Sequence, residues 1–188
     1  MSALLLALLL VPLVGAAVCA TMARREDLDR AAKAVGMVVA LVSLVLVAIL
    51  WAGFATGPGT PRFQFTLSVD WIPAFGTRFA LGLDGIALTM IALLAVLVPI
   101  VLGFAWAQKL PPGRTGAGFT ALMLATQGVL VGVFAATDVF LFYVLFEAML
   151  VPMYFLIGRF GGPRRQYAAI KFFLYSLLGG LIMLASVI

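Results

Sequence analysis

Glu147 is the residue whose type and position could do chemistry in this chain. It stands alone among Phe, Leu, Val, Met and Tyr in an apolar stretch at 138–158. About ten residues separate it from either end, which at 1.5 Å rise per residue is roughly 15 Å from each interface, the bilayer midplane. An acidic side chain there costs on the order of 2.5–3.5 kcal/mol on insertion scales, so it has to face a bundle interior, paired or protonated. A neutral Gln would serve equally well as a static polar staple between helices. A carboxyl group adds the capacity to take up and release a proton as its surroundings change, and proton translocation is the chemistry expected of Glu147.

Its neighbours extend the candidate site. Tyr143, four residues earlier, and Tyr154, seven residues later, tend toward the same helix face and could line a proton path; a packing or interfacial role explains either one as well. Pro152 has no N–H, so the carbonyl of Ala148 is freed and should meet water or another helix. Lys171 is the second candidate for proton translocation. It lies about four residues into the next apolar stretch, against about eleven for Glu147 from the same side, and the depth difference of roughly 10 Å argues against a direct salt bridge. Snorkelling to the interface and proton feeding through water both fit Lys171. Tyr175, one turn further on, points the same way. Asp138 after Thr137 and Asp84 before Gly85 stand where helix N-caps belong, with proton release the alternative for Asp138.

The elements that must position these groups are membrane helices. The 188 residues are 65% apolar and 10% charged, and the mean hydropathy is +1.22, outside what a soluble domain of this size keeps in water. Six stretches, at about 2–22, 34–54, 84–107, 117–136, 138–158 and 168–188, have the length that crosses a hydrocarbon core. The fold class expected is therefore all-α, a polytopic transmembrane bundle. The first stretch carries no Lys or Arg ahead of it and reads as a spanning helix rather than a signal peptide. The last ends without a polar flank, which implies a piece of a longer protein. Prolines fall inside three spans, Pro12, Pro99 and Pro152, and the carbonyl each one frees must face protein or water.

Loop charge orients the chain. Arg24, Arg25, Arg30, Lys33, Lys109, Arg114, Arg159, Arg164 and Arg165 flank the spans on one side; the other side has Arg62 and Arg78. That bias places the first group in the cytoplasm, the amino terminus outside, and the segment at about 55–83 outside as well. This segment is rich in Pro, Gly and aromatics (Phe63, Phe65, Trp71, Ile72, Pro73, Phe75) and alternates between Arg62 and Val69, as a short strand or hairpin at the interface would. The segment at 24–33 reads as a solvated cytoplasmic loop. The net charge of +5 does not indicate nucleic acid, because the basic residues are spread over several loops. Histidine is absent and Cys19 is the single cysteine. Haem, iron–sulfur and zinc sites thus lack their usual ligands, so no metal or cofactor site is expected in this chain. No nucleophile or phosphate loop stands out, and no catalytic residue is assigned.

The run at 141–158, LFYVLFEAMLVPMYFLIG, followed by Gly161, Gly162 and the run YAAIKFFLY at 167–175, resembles the family of chain M of proton-translocating NADH:quinone oxidoreductase, respiratory complex I. Leu83, Asp84, Gly85 and Ile86 are similar to that family too. The resemblance covers the whole chain in helix order and corresponds to the N-terminal part of such a subunit. It implies an antiporter-like fold of about fourteen helices with inverted repeats. Residues 1–116 would form helices one to three with the external loop, and 117–188 helices four to six, the start of the first proton-channel repeat. Glu147 matches the family's fifth-helix glutamate, expected to pair with a lysine on the seventh helix, and Lys171 matches a family lysine. The resemblance further implies that NADH, FMN, iron–sulfur clusters and quinone act in partner subunits, and that neighbouring antiporter-like subunits are partners within the lipid bilayer. Protons would be driven by electron transfer in those partners. Richness in Ala, Val and Gly suggests a bacterial plasma membrane. The rival readings are a subunit of a cation/proton antiporter or membrane-bound hydrogenase, and a structural membrane spacer in which Glu147 only joins helices.

Overall fold

The computed structural model describes residues 2–73, 76–108 and 113–187. Lys109 and Phe75, which entered the loop-charge and aromatic readings, lie outside the described residues. Among the described residues six helices are long and apolar enough to cross a membrane: α1 (Ser2–Met22), α2 (Asp29–Ala52), α3 (Gly85–Ala107), α4 (Gly116–Ala135), α5 (Val139–Phe160) and α6 (Arg165–Val187). A hairpin of β1 (Gln64–Ile72) and β2 (Thr77–Leu83) lies between α2 and α3.

Helix α4 is the centre of the bundle, packing on α1, α2, α3 and α5. Small residues let it come close. A Cβ on Gly128 would meet Leu13 Cγ at 2.6 Å, and one on Gly36 of α2 would overlap Thr120 of α4. In lipid, where apolar surface gains nothing by leaving its solvent, such close backbone approach is a main source of helix association. Most of α5 is half-buried, and α6, which packs chiefly against α5, is the most exposed of the six.

Side-chain oxygens close the helix starts, where backbone N–H groups have no helical partner. Asp84 accepts from Ala87 N–H at 2.8 Å, Thr115 from Gly118 N–H at 3.2 Å, and Asp138 from Leu141 N–H at 2.9 Å. The caps expected at Asp84 and Asp138 are thus present. Asp138 also accepts from the Arg78 N–H at 3.2 Å through its second oxygen, tying the hairpin to α5.

The hairpin extends the expected strand to Ile72, with Asp70 and Arg78 paired across it at 2.9 Å. It docks on the bundle: Thr137 N–H bonds to Ala80 O at 2.9 Å, and Leu81 and Leu83 are buried. A register shift follows Gln64, and Phe65 there takes a left-handed backbone (φ 54°) that sets its ring 6.4 Å from that of Phe54. Trp71 lies 5.9 Å from Phe140. Two of the aromatics read as interfacial therefore pack against helix ends.

The solvated loop expected at 24–33 is shorter than its charge suggested. A 3-10 turn at Glu26–Leu28 leads into α2, which begins at Asp29, five residues before the hydropathy boundary. Asp29 accepts from Ala117 N–H of α4 at 2.8 Å and pairs with Lys33 at 3.1 Å. A carboxylate used at the start of α4 and neutralised one turn along its own helix needs no bulk water, so Arg30 and Lys33 belong to α2 rather than to a loop.

Candidate functional site

Glu147 lies eight positions after Val139 and thirteen before Phe160. At 1.5 Å per residue this is about 12 Å below the hairpin end of α5 and about 20 Å from the opposite end, nearer the hairpin end than the even spacing of about 15 Å expected, because α5 runs on to Phe160. The residue is half-buried, and its Oε1 is sealed from solvent without a hydrogen-bond partner. That oxygen lies against the backbone of α6 at Gly180, where an added Cβ would overlap it. Gly180 is fifteen positions into α6, about 22 Å from the same end, so glutamate and glycine face each other at one level.

Tyr143 joins Glu147 there: its Cε2 lies 3.6 Å from the position a Cβ on Gly180 would take. Tyr154 packs edge-on against Phe173 of α6 (5.8 Å) and Phe155 (5.5 Å), in an aromatic contact nearer the other end of α5. Pro12 and Pro152 are buried, but Ala148, whose carbonyl Pro152 frees, is exposed; no described helix covers that side of α5.

Lys171 is placed elsewhere. Nine positions, or two and a half turns at 3.6 residues per turn, separate it from Gly180, so it stands on the opposite face of α6 from Glu147. Its ammonium lies 5.9 Å from the Tyr167 ring and 5.8 Å from that of Tyr175, and both tyrosines are open, at 66% and 69% exposure. Depth had argued against a Glu147–Lys171 salt bridge, and helix rotation excludes it as well. The structure brings Tyr143 to Glu147 and gathers Lys171 with Tyr175 on the outer face of α6.

Gln127 of α4 escaped the sequence reading. It is 1% exposed, and its Oε1 is sealed without a partner. Thr126 and Ser43, also polar and buried, bond to carbonyls one turn back in their own helices, as Gln cannot. Gln127 stands eight positions from Ala135, the same distance from the hairpin end as Glu147. It also lines a 520 Å³ groove between α3 and α5 whose walls include Leu94, Val101, Met153 and Ile157. The signal was available: one amide in an otherwise apolar stretch, the same rule that singled out Glu147. Cys19, by contrast, is a buried packing residue whose thiol donates to Ala32 O at 3.4 Å. Among the described residues no group of His, Cys, Asp or Glu could hold a metal ion.

Fold and site together define a polytopic α-helical membrane protein with one acid at mid-helix depth. Residues 136–188 match the family described as NADH:quinone oxidoreductase/Mrp antiporter, TM. NADH-quinone oxidoreductase subunit M of Mycobacterium tuberculosis is 42% identical over 95% of the chain and 36% of its own length. The subunit M of Rhodobacter capsulatus is 37% identical over 94% of the chain and 33% of its own length. Respiratory complex I from Thermus thermophilus with bound NADH contains a chain that superposes with a TM-score of 0.76 at 29% identity, over 97% of this chain and 35% of that one. A chain of the Mrp complex from Dietzia sp. DQ12-45-1b gives 0.74 at 25% identity, over 96% and 18%. Residues 136–188 thus carry the family match, and the chain along its length is similar to antiporter-like membrane subunits of complex I and related complexes. It spans about a third of the length of the subunit M relatives.

Proposed function

We propose that this chain is part of a subunit that carries protons across the membrane by reversible protonation of Glu147, driven by NADH-to-quinone electron transfer in partner subunits. One observation carries the reading: a carboxylate at mid-helix depth keeps one oxygen sealed and unpartnered against α6. A carboxylate serving only to staple helices would hold a donor on the neighbouring helix, because an unmet acid in lipid is costly. Among the described residues Glu147 has no such donor, and α6 offers it only bare backbone at Gly180. The similarity to subunit M of NADH-quinone oxidoreductases supports the driving reaction. In this reading FMN, iron–sulfur clusters, NADH and quinone sit in the partners, and this chain contributes no redox centre. The partners include other membrane subunits, and the loop-charge bias puts the amino terminus outside a bacterial plasma membrane. Lys171 enters as a second station on the far face of α6, with Tyr175 beside it.

A second reading, a cation/proton antiporter subunit that needs no electron transfer, is favoured by the likeness to the Mrp complex and by the Mrp antiporter in the family's description. Subunits that co-purify separate the two, since flavin and iron–sulfur proteins accompany only the redox-driven form.

Glu147→Gln in the full-length subunit, within the assembled complex, tests the central claim. The amide keeps shape and hydrogen-bonding capacity but cannot titrate. Proton pumping into vesicles, measured per electron transferred, should fall with assembly intact; pumping at the wild-type ratio would remove Glu147 from the proton path.

A further inference from the structure

We propose that Gly180 is a positioning residue for Glu147: the bare backbone of α6 at this point is the seat that holds the carboxylate in place. The inference rests on the proton-carrying reading of Glu147 and adds what fixes its geometry. Gly179 and Gly180 form a pair inside α6, where each costs about 1 kcal/mol against Ala in helix propensity. The two glycines are not equivalent. A Cβ on Gly179 would meet nothing within 4 Å, whereas one on Gly180 would overlap Glu147 Oε1, lie 3.2 Å from the carboxyl carbon and 3.6 Å from Tyr143 Cε2. Gly180 is buried and Gly179 exposed.

Ordinary small-residue packing between membrane helices does not account for this. In that arrangement the notch is filled by apolar carbon, as Leu13 fills the one at Gly128. At Gly180 the group in the notch is the carboxylate itself. Seating Oε1 there, where it has no partner, leaves Oε2 as the oxygen open to a water chain or an incoming cation. Protonation then forms an O–H bond at Oε2 with a proton delivered by that chain, and release breaks the same bond and restores the carboxylate. Tyr143 closes the seat one turn toward the hairpin end.

The test uses the full-length subunit in its assembled complex, with pumping per electron as the readout. Gly180→Ala should lower the rate of proton transfer about tenfold or more, since misplacing a reacting group by about 1 Å costs on the order of a hundredfold. Gly179→Ala carries the same propensity change and should leave pumping unchanged. Glu147→Asp is one methylene shorter, so in the double variant the carboxylate clears the new methyl group; its own withdrawal keeps pumping low, and the variant reports on the clash through assembly and stability, which should recover relative to Gly180→Ala. If Gly180→Ala fails to assemble, the same double variant should restore assembly, because the clash is with the glutamate; no restoration overturns the proposal. Gly180→Ala pumping like wild type while Glu147→Gln does not also overturns it, leaving the proton role of Glu147 standing. Wild-type pumping in Glu147→Gln removes that role instead.

Discussion

Asp138 offers two roles that substitution can separate: a structural acceptor at the junction of hairpin and α5, or a proton-release site below the surface. Its two oxygens are used differently, Oδ1 accepting from Leu141 N–H at 2.9 Å and Oδ2 from Arg78 N–H at 3.2 Å. Asp138→Ala removes both. Losing an N-cap costs about 0.5–2 kcal/mol, and losing a second hydrogen bond about 1 kcal/mol. The sum is about 2 kcal/mol, roughly a thirtyfold change in the folded-to-unfolded ratio. Asp138→Asn keeps a single carbonyl oxygen beside an amide that donates, so it can retain the cap or the hairpin bond but not both. The expected loss is about 1 kcal/mol, about half that of the Ala variant. Thermal unfolding in detergent, with proteolysis of the hairpin as a local probe, should rank wild type above Asn above Ala. Proton pumping by the assembled full-length protein should be unchanged in Asp138→Asn, which lacks the titrating group but holds the cap. A pumping loss in Asp138→Asn with normal assembly and stability would refute the argument and make Asp138 part of the proton route.

Two further predictions concern α4. Gln127→Leu replaces a sealed, unpartnered amide oxygen with carbon of similar size, so thermal stability in detergent should rise by about 1–3 kcal/mol; a decrease would mean that the oxygen holds a water in the membrane. Gly128→Ala should destabilise by about 1–3 kcal/mol because its methyl group meets Leu13 Cγ. Adding Leu13→Ala should recover part of that loss, and strictly additive effects in the double-mutant cycle would show that the two residues do not meet.

Much of the architecture was legible because it depends on one residue at a time meeting its solvent. Long apolar runs place six helices, and Asp84 and Asp138 mark two of their starts, since a capping oxygen acts on backbone two or three positions away. The start of α2 was misplaced because hydropathy treats Asp29 and Lys33 as solvated charges. Their neutralisation involves Ala117, 88 positions away in the chain. Gln127 was marked by its polar type in an apolar stretch and was overlooked; what the sequence could not show is that its oxygen finds no partner, which is visible only once its neighbours are placed.

The sequence by itself determined that the surroundings are lipid and how deep Glu147 and Lys171 lie, because hydropathy is a local property and helix rise converts position into depth. Only the tertiary structure decided which groups meet at a given depth. It turned Gly180 and Tyr143 toward Glu147 and put Lys171 with Tyr167 and Tyr175 on the other side of α6. The physical reason is that a helix can rotate about its axis without changing the depth of any residue. That rotation is settled by the close packing of all its neighbours at once, not by any stretch of its own sequence.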